Sequence, residues 1–430
     1  MNVHLPFGAD TVPVDVPDNW INGRCYRAFR FDPAHDERAE IQAAFNEPVG
    51  MESVAATVRG KARRHGVLVI DTSAPALLQT FLPALLDELL EASGLKANHL
   101  TLLVANSAWQ SVTSDDVEAL LPPELRKRHP VELHDPFDAG KSRKVGAVLG
   151  GIDVFLNKTY LDADLRILCG PVAPDMIHGF RGGRSLVLPG LAAEQTLRQL
   201  YSFDHVAQPA VTYGGIQNNP FHAAGMQALM LAGCDLVVAP ILAPNGRLSQ
   251  LVIGDPGQAF LAAVNRVTEK MSVTLKEPMD IVVTCGGGAP FDSTLAQVVN
   301  ALAAVEPVLK PDGTILLSAE LSGGFGPDPL RRLLLEAQSP AGFRKRFAES
   351  GSFVPGQWVA QRLFRILDAH EIILYTRGLS DDEVWAAGLT PIDRAQDAIE
   401  VAMQEHGQRC KICALPDGPF SLASLPARPR

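Results

Sequence analysis

The sequence predicts an α/β protein made of two open α/β domains with a cleft between them. Short, nearly continuous apolar runs recur along the chain, among them VLVID, TLLVA, LRILC and IVVTC, as in strands buried on both faces of a mostly parallel sheet. Helical segments separate these runs, as crossovers between parallel strands require. The 430-residue length also exceeds what one domain ordinarily needs.

Composition narrows the class. Apolar residues make up 47% and charged residues 20%, which suits well-filled cores rather than a disordered chain or coiled coil. A net charge of −10 repels a phosphate backbone, and no nucleic-acid-reading motif offsets it, so nucleic acid is not an expected partner. No apolar run reaches the ~20 residues of a membrane helix, and membranes are not expected partners either. The N-terminus, MNVHLPFGADTVPVDVP, lacks the basic start and apolar core of a secretion signal. The six cysteines are scattered through apolar text, as small buried hydrophobes of a reducing compartment. A cytoplasmic location is the expectation. Cys410 and Cys413 have redox-motif spacing, but KICALP reads as a strand rather than the helix start that lowers a thiol's pKa.

In the larger N-terminal domain, 1–272, the first 25 residues read as short strands or a hairpin. A helical pattern then runs from Asp36 to Val58, broken near Pro48 and Gly50. Strands follow at 67–73 and 99–107, with a helix over 76–92 that stops at Gly94. Another helix opens at 112–120 with a Ser/Thr cap. Further strands are expected at 131–136, 153–159 and 163–170, then helices starting near Ala192 and over 257–273, with a helix and strand in 218–242. The smaller domain, 279–418, repeats the alternation. It has strands at 279–288, 313–324, 371–378 and 411–418, the last closing the sheet. Its helices fall at 293–309, 328–344, 357–369 and two later segments. Residues 419–430 read as a loose tail.

Glycine clusters at 178–185 (HGFRGGRS), 285–292 and 321–326 adjoin strands. None has the spacing of a standard nucleotide loop, and each is equally a tight turn. Arg181 and Arg184 bracket Gly182 and Gly183, so an anion pocket made by an Arg fork and adjacent amides is plausible there. His134, His178, His205 and His222, with Asp135 and Asp175 nearby, fall near strand ends or loops. They lack the short ligand spacing of a metal site, and loop histidines bonded to backbone are the alternative. Trp358, at a helix start after Pro355 and Gly356, either caps a core or lines a cleft. Gln297 is a polar amide in an apolar helical stretch.

The order of several segments is specific. ADLRILCGPVAPDMIHGFRGGRSLVLPG resembles the central signature of the nickel-pincer lactate racemases. VIDTSAP, VANSAWQSVTSDD, CGGGAPFDSTLAQVV, PGQWVAQRLFRIL and PDGPFSL resemble further segments of that family in the same order. The resemblance implies a lactate-racemase-like fold with an active cleft between the domains. It also implies chemistry on 2-hydroxy acids, in which a hydride moves from C2 to a pyridinium ring beside a nickel ion. A lysine tethers that cofactor, a histidine binds the nickel, and two histidines exchange the hydroxyl proton.

Asp71, Gln297 and Trp358 match positions of the family's site. Elsewhere the chain departs. Trp109 and Asp175 stand at the two acid/base histidines, Ser185 at the tethering lysine and Tyr201 at the nickel ligand, with His205 one turn on. Ala74 and Asn300 stand at a substrate-contacting Arg and a Lys. A covalently held nickel-pincer nucleotide is therefore not expected, and the cofactor is open. The sequence is read as a divergent member acting on or binding a small 2-hydroxy acid or sugar acid. Asp175 and His178 are the catalytic candidates, Asp175 on condition that its pKa is raised. Asp71, Trp109, Arg181, Arg184, Gln297 and Trp358 are the substrate-binding candidates, and Ser185, Gly182 and Gly183 the cofactor-binding ones. The expected partner is a small anionic carboxylate. The alternatives are an inactive ligand-binding or regulatory relative, and a nickel enzyme whose ligand set has moved to His178 and His205. A homo-oligomer is compatible with the sequence.

Overall fold

The computed structural model describes residues 1–17, 24–28, 31–61, 64–107, 112–337, 339–348, 352–407 and 409–426. Two six-stranded sheets organise them. The N-terminal sheet runs in the order Leu248–Gly254, Leu236–Leu242, Leu165–Cys169, Gly66–Ile70, Leu100–Val104, Val131–Leu133, parallel except for the first strand. Gly66–Ile70 and Leu100–Val104 are buried at every position, so neither shows polar–apolar alternation. The helix Pro75–Ser93 begins on a proline and stops at Gly94, whose φ of 73° is left-handed. Its Leu78, Phe81, Leu82 and Leu85 pack with Leu68, Ile70, Leu102 and Val104 of the sheet.

The C-terminal sheet is fully parallel, in the order Thr390–Pro391, Glu371–Tyr375, Leu309–Ser318, Met279–Cys285, Ile412–Leu415, Arg24–Cys25. Ile412–Leu415, expected to close this sheet, lies inside it, and Arg24–Cys25 forms the edge. The hairpin Asn2–Phe7 with Asp10–Asp15 packs Val3, Leu5 and Val14 against Ile281, Val283 and Ile373 of the same domain. Residues 1–17 and 24–25, which the sequence groups with 1–272, thus build onto the C-terminal sheet.

Local departures from the sequence reading have physical causes. Residues 153–159 were expected in the main sheet. Ile152–Asn157 instead pairs with Ser142–Val148 in a separate hairpin, turned by Gly150 and Gly151 at φ 81° and 76°. Ser142–Val148 is half-exposed and charged, with Lys144 paired to Asp153 at 2.8 Å, so it carries no apolar run. The helix expected over 328–344 is two helices, Asp328–Ala337 and Pro340–Ala348, because Pro340 lacks the amide that would continue the first. Part of the expected tail is built in: Leu422–Ser424 runs parallel to Ser272–Thr274. Among the described residues no helix is long and apolar enough to cross a membrane.

Candidate functional site

Both sheets point the carboxyl ends of their strands at one interdomain cleft of about 600 Å³, within the usual range of small-molecule sites. Asp71 follows Gly66–Ile70, and Ala105–Ser107 follow Leu100–Val104. Val172–His178 continue from Leu165–Cys169, and Leu242 ends its own strand. From the other domain come Pro290, Gln297, Asn300, Trp358, Pro419 and Phe420.

The turn 175–178 is pinned on every side. One oxygen of Asp175, Oδ1, accepts hydrogen bonds from the Ile177 amide (2.9 Å), the His178 amide (2.6 Å) and His178 Nδ1 (2.9 Å). Asn219 Nδ2 donates to the Ile177 carbonyl at 2.9 Å. The Met176 amide donates across the cleft to Asn300 Oδ1 at 3.1 Å, so the residue at the family's lysine position ties the domains together. Gly179 adopts φ +73°, and a Cβ there would lie 2.0 Å from the Gly215 carbonyl oxygen, so only glycine fits.

Burial alone raises the Asp175 carboxyl. The charge of His178 and the hydrogen bonds from its ring and from the His178 and Ile177 amides outweigh burial, and hold the group well below the usual carboxylate range. The raised pKa required of a general base at Asp175 is absent, and its carboxylate instead orients His178. His178 Nε2 lies 3.0 Å from the Tyr201 hydroxyl, and Tyr201 stacks on Trp358 with centroids 3.7 Å apart and planes at 16°. Burial, then the charge of Asp175, keeps the Tyr201 phenol protonated far above its ordinary range. Sequence reasoning registered Tyr201 only as a lost metal ligand. Its link to His178, 23 residues earlier, has no local signal.

Asp71, Asp175, His178, Arg181, Ser185, Gln297 and Trp358 all line the cleft. Arg181 has no hydrogen-bond or ion-pair partner among the described residues. Asp71 Oδ1 accepts from the Ser73 amide at 2.7 Å. Gln297 closes a capping box with Thr294 and donates to the Pro290 carbonyl at 3.2 Å, so its amide is largely committed to the helix start. Trp109 lies outside the described residues.

Three expectations need correction. Arg184, expected beside Arg181 at the substrate, is only 1% exposed and does not line the cleft. It stacks over Phe260 at 4.3 Å and donates to the His178 and Phe180 carbonyls at 2.9 and 3.1 Å, passing the Cβ-free face of Gly225. Gly182 and Gly183 also lie outside the lining. A Cβ would meet the Pro171 carbonyl from Gly182 and the Phe260 ring from Gly183, so these glycines serve close packing. The fallback metal pair, His178 and His205, makes other contacts in the structure. Both nitrogens of His178 are bonded, and His205 lies edge-on to Phe221 at 4.7 Å, off the cleft. Among the described residues no group of three or more His, Cys, Asp or Glu side chains is placed to hold a metal. His134 is buried, 3.1 Å from the Ala192 carbonyl and 3.3 Å from Asn157, a structural role.

A lysine-tethered nickel nucleotide, as the resemblance implies, needs an amine at position 185 and a metal ligand at position 201. Ser185 offers no amine, and its Oγ accepts from the Gly182 amide at 2.8 Å and donates to the Gly182 carbonyl at 3.2 Å. Tyr201 offers a buried neutral phenol already bonded to His178. These two positions do not fit that covalent, metal-bound group.

Fold and site together define a two-domain α/β protein whose ligand cleft is formed by both domains. The lactate racemase N-terminal domain matches residues 7–213 and the lactate racemase C-terminal domain matches 274–422; the chain belongs to the lactate racemase family. It is 26% identical over 420 residues to the lactate racemase of Thermoanaerobacterium thermosaccharolyticum, covering 97% of this chain and 98% of that one. It is 24% identical over 421 residues to the lactate racemase of Lactiplantibacillus plantarum, with the same coverages. The structure of the lactate racemase apoprotein from T. thermosaccharolyticum superposes with a TM-score of 0.89 at 26% identity, over 98% of this chain and all of the other. A protein from Thermotoga maritima shares the fold at a TM-score of 0.66 and 16% identity, over 92% of this chain and all of that one.

Proposed function

We propose that the cleft takes a small 2-hydroxy carboxylate or sugar acid, bound without a covalently attached nickel-pincer nucleotide. The observation that carries this is Arg181. It is the one Arg or Lys among the described lining residues, and its guanidinium has no partner there. A partnerless cation in a shaped cleft favours an anion, and a planar guanidinium matches a carboxylate in bidentate geometry. Asp71 and Asn300 in the same lining supply polar groups for a hydroxyl, while the rings of Tyr201 and Trp358 give an apolar wall. The lactate racemases to which the chain is similar support the hydroxy-acid class. Ser185 and Tyr201 argue against the tether and the metal ligand.

A panel of carboxylates tests this by thermal stabilisation, since a ligand that prefers the native state raises its stability by mass action. Lactate and gluconate should raise the melting temperature of the wild-type protein more than propionate does, and Arg181→Met should remove the effect. No stabilisation by any hydroxy acid, or equal stabilisation of Arg181→Met, would contradict the proposal.

A further inference from the structure

His178 faces the cleft with both ring nitrogens already engaged. An ionised carboxylate only accepts hydrogen bonds, so His178 Nδ1 donates to Asp175 at 2.9 Å. When the ring carries that one proton, Nε2 is the acceptor and the Tyr201 hydroxyl donates to it at 3.0 Å. An incoming substrate hydroxyl meets no free imidazole nitrogen. Tyr201 also borders the cleft, and its oxygen, which spends its single hydrogen on His178, keeps lone-pair capacity. Asp175, His178 and Tyr201 all line the cleft.

We propose that Tyr201 is the group that exchanges a proton with the hydroxyl of the bound acid, with His178 and Asp175 as the relay behind it; this rests on the hydroxy-acid reading above. In the forward step the substrate O–H bond breaks and a new O–H bond forms on Tyr201. At the same time the original Tyr201 proton moves to His178 Nε2. The electron pair stays on the substrate oxygen, the imidazole becomes imidazolium, and the Asp175 carboxylate balances the new charge. The reverse step restores every proton, and no oxidant or reductant is consumed.

The surroundings hold Tyr201 for this task. Its ring is clamped between Trp358 and Phe221, at 3.7 and 5.5 Å between centroids, and Gln357 Nε2 donates to its carbonyl at 3.0 Å. Its buried phenol stays neutral at rest, so it gives up its own proton only as it takes another.

Tyr201→Phe keeps the ring and removes the hydroxyl. Calorimetric titration with lactate and with propionate reads the hydroxyl directly. The wild-type protein is expected to prefer lactate, and Tyr201→Phe to lose that preference by about tenfold or more. Asp175→Asn, which leaves the phenol but weakens the relay, should reduce the preference partway. Nitrogen-15 NMR supplies a ligand-free readout: the His178 Nε2 resonance should move to its unbonded position in Tyr201→Phe. If the wild-type protein prefers lactate and Tyr201→Phe keeps that preference, or if the Nε2 resonance does not move, the relay is overturned while the hydroxy-acid reading stands. If the wild-type protein binds neither acid, or both equally, the hydroxy-acid reading falls and the relay with it.

Discussion

Trp358 of the C-terminal domain lies face to face with Tyr201 of the N-terminal domain, their ring centroids 3.7 Å apart and their planes 16° from parallel. Both rings are almost fully buried, so the contact is a domain interface as well as a cleft wall. Trp358→Ala should cost about 3–5 kcal/mol of stability through lost burial and the cavity left behind. A double-mutant cycle with Trp358→Leu and Tyr201→Leu should leave a coupling of roughly 0.5–1.5 kcal/mol. Urea unfolding followed by circular dichroism measures both.

Asp175 should make stability depend on acid in a defined window. Its folded pKa lies below the unfolded value of about 3.9, so in this window the unfolded chain binds more protons and stability rises with pH. The contribution is complete above the unfolded pKa and disappears as pH falls through the folded one. The stability difference between wild type and Asp175→Asn should be constant above about pH 5 and shrink below about pH 4. Urea midpoints across pH 2–7 test this, and a difference that ignores pH would contradict it.

Two glycines with the same φ of +73° separate strain from collision. A Cβ at Gly94 would meet nothing within 4 Å, whereas one at Gly179 would sit 2.0 Å from the Gly215 oxygen. Gly94→Ala should cost about 1–2 kcal/mol, the left-handed penalty alone. Gly179→Ala should cost clearly more and displace His178. Equal melting temperatures for the two variants would show that the backbone near Gly215 gives way freely.

Arg181→Met should leave folding almost untouched, within about 0.5 kcal/mol, because the side chain is half-exposed and makes no ion pair among the described residues. Affinity for hydroxy carboxylates should nevertheless fall about tenfold or more. A variant that unfolds early would instead mark Arg181 as a structural residue.

The fold was readable where buried strands and helix ends leave one-dimensional marks. Gly66–Ile70 announces itself by five buried residues in a row, and Gly94 and Thr113 mark a helix end and a helix start. Arg24–Cys25 could not be read, because two residues carry no periodicity and their partner strand lies almost 400 positions away. The charged hairpin strand Ser142–Val148 gave no apolar run. At the site, Asp71, His178, Arg181, Gln297 and Trp358 were legible from motifs and reached the cleft. Arg184 was misplaced because its charge suggests a ligand, whereas the structure turns it inward over Phe260. The role proposed for Tyr201 is not legible in the sequence because it rests on a contact with His178 that only folding creates.

The proposed binding without a covalent cofactor rests on Ser185, which has no amine and whose hydroxyl is tied to Gly182. The most direct measurement is the intact mass of this chain produced in a host that makes the nickel-pincer nucleotide. A mass equal to the polypeptide's own 46.2 kDa is predicted. A covalent nucleotide adduct on a cleft residue would contradict it.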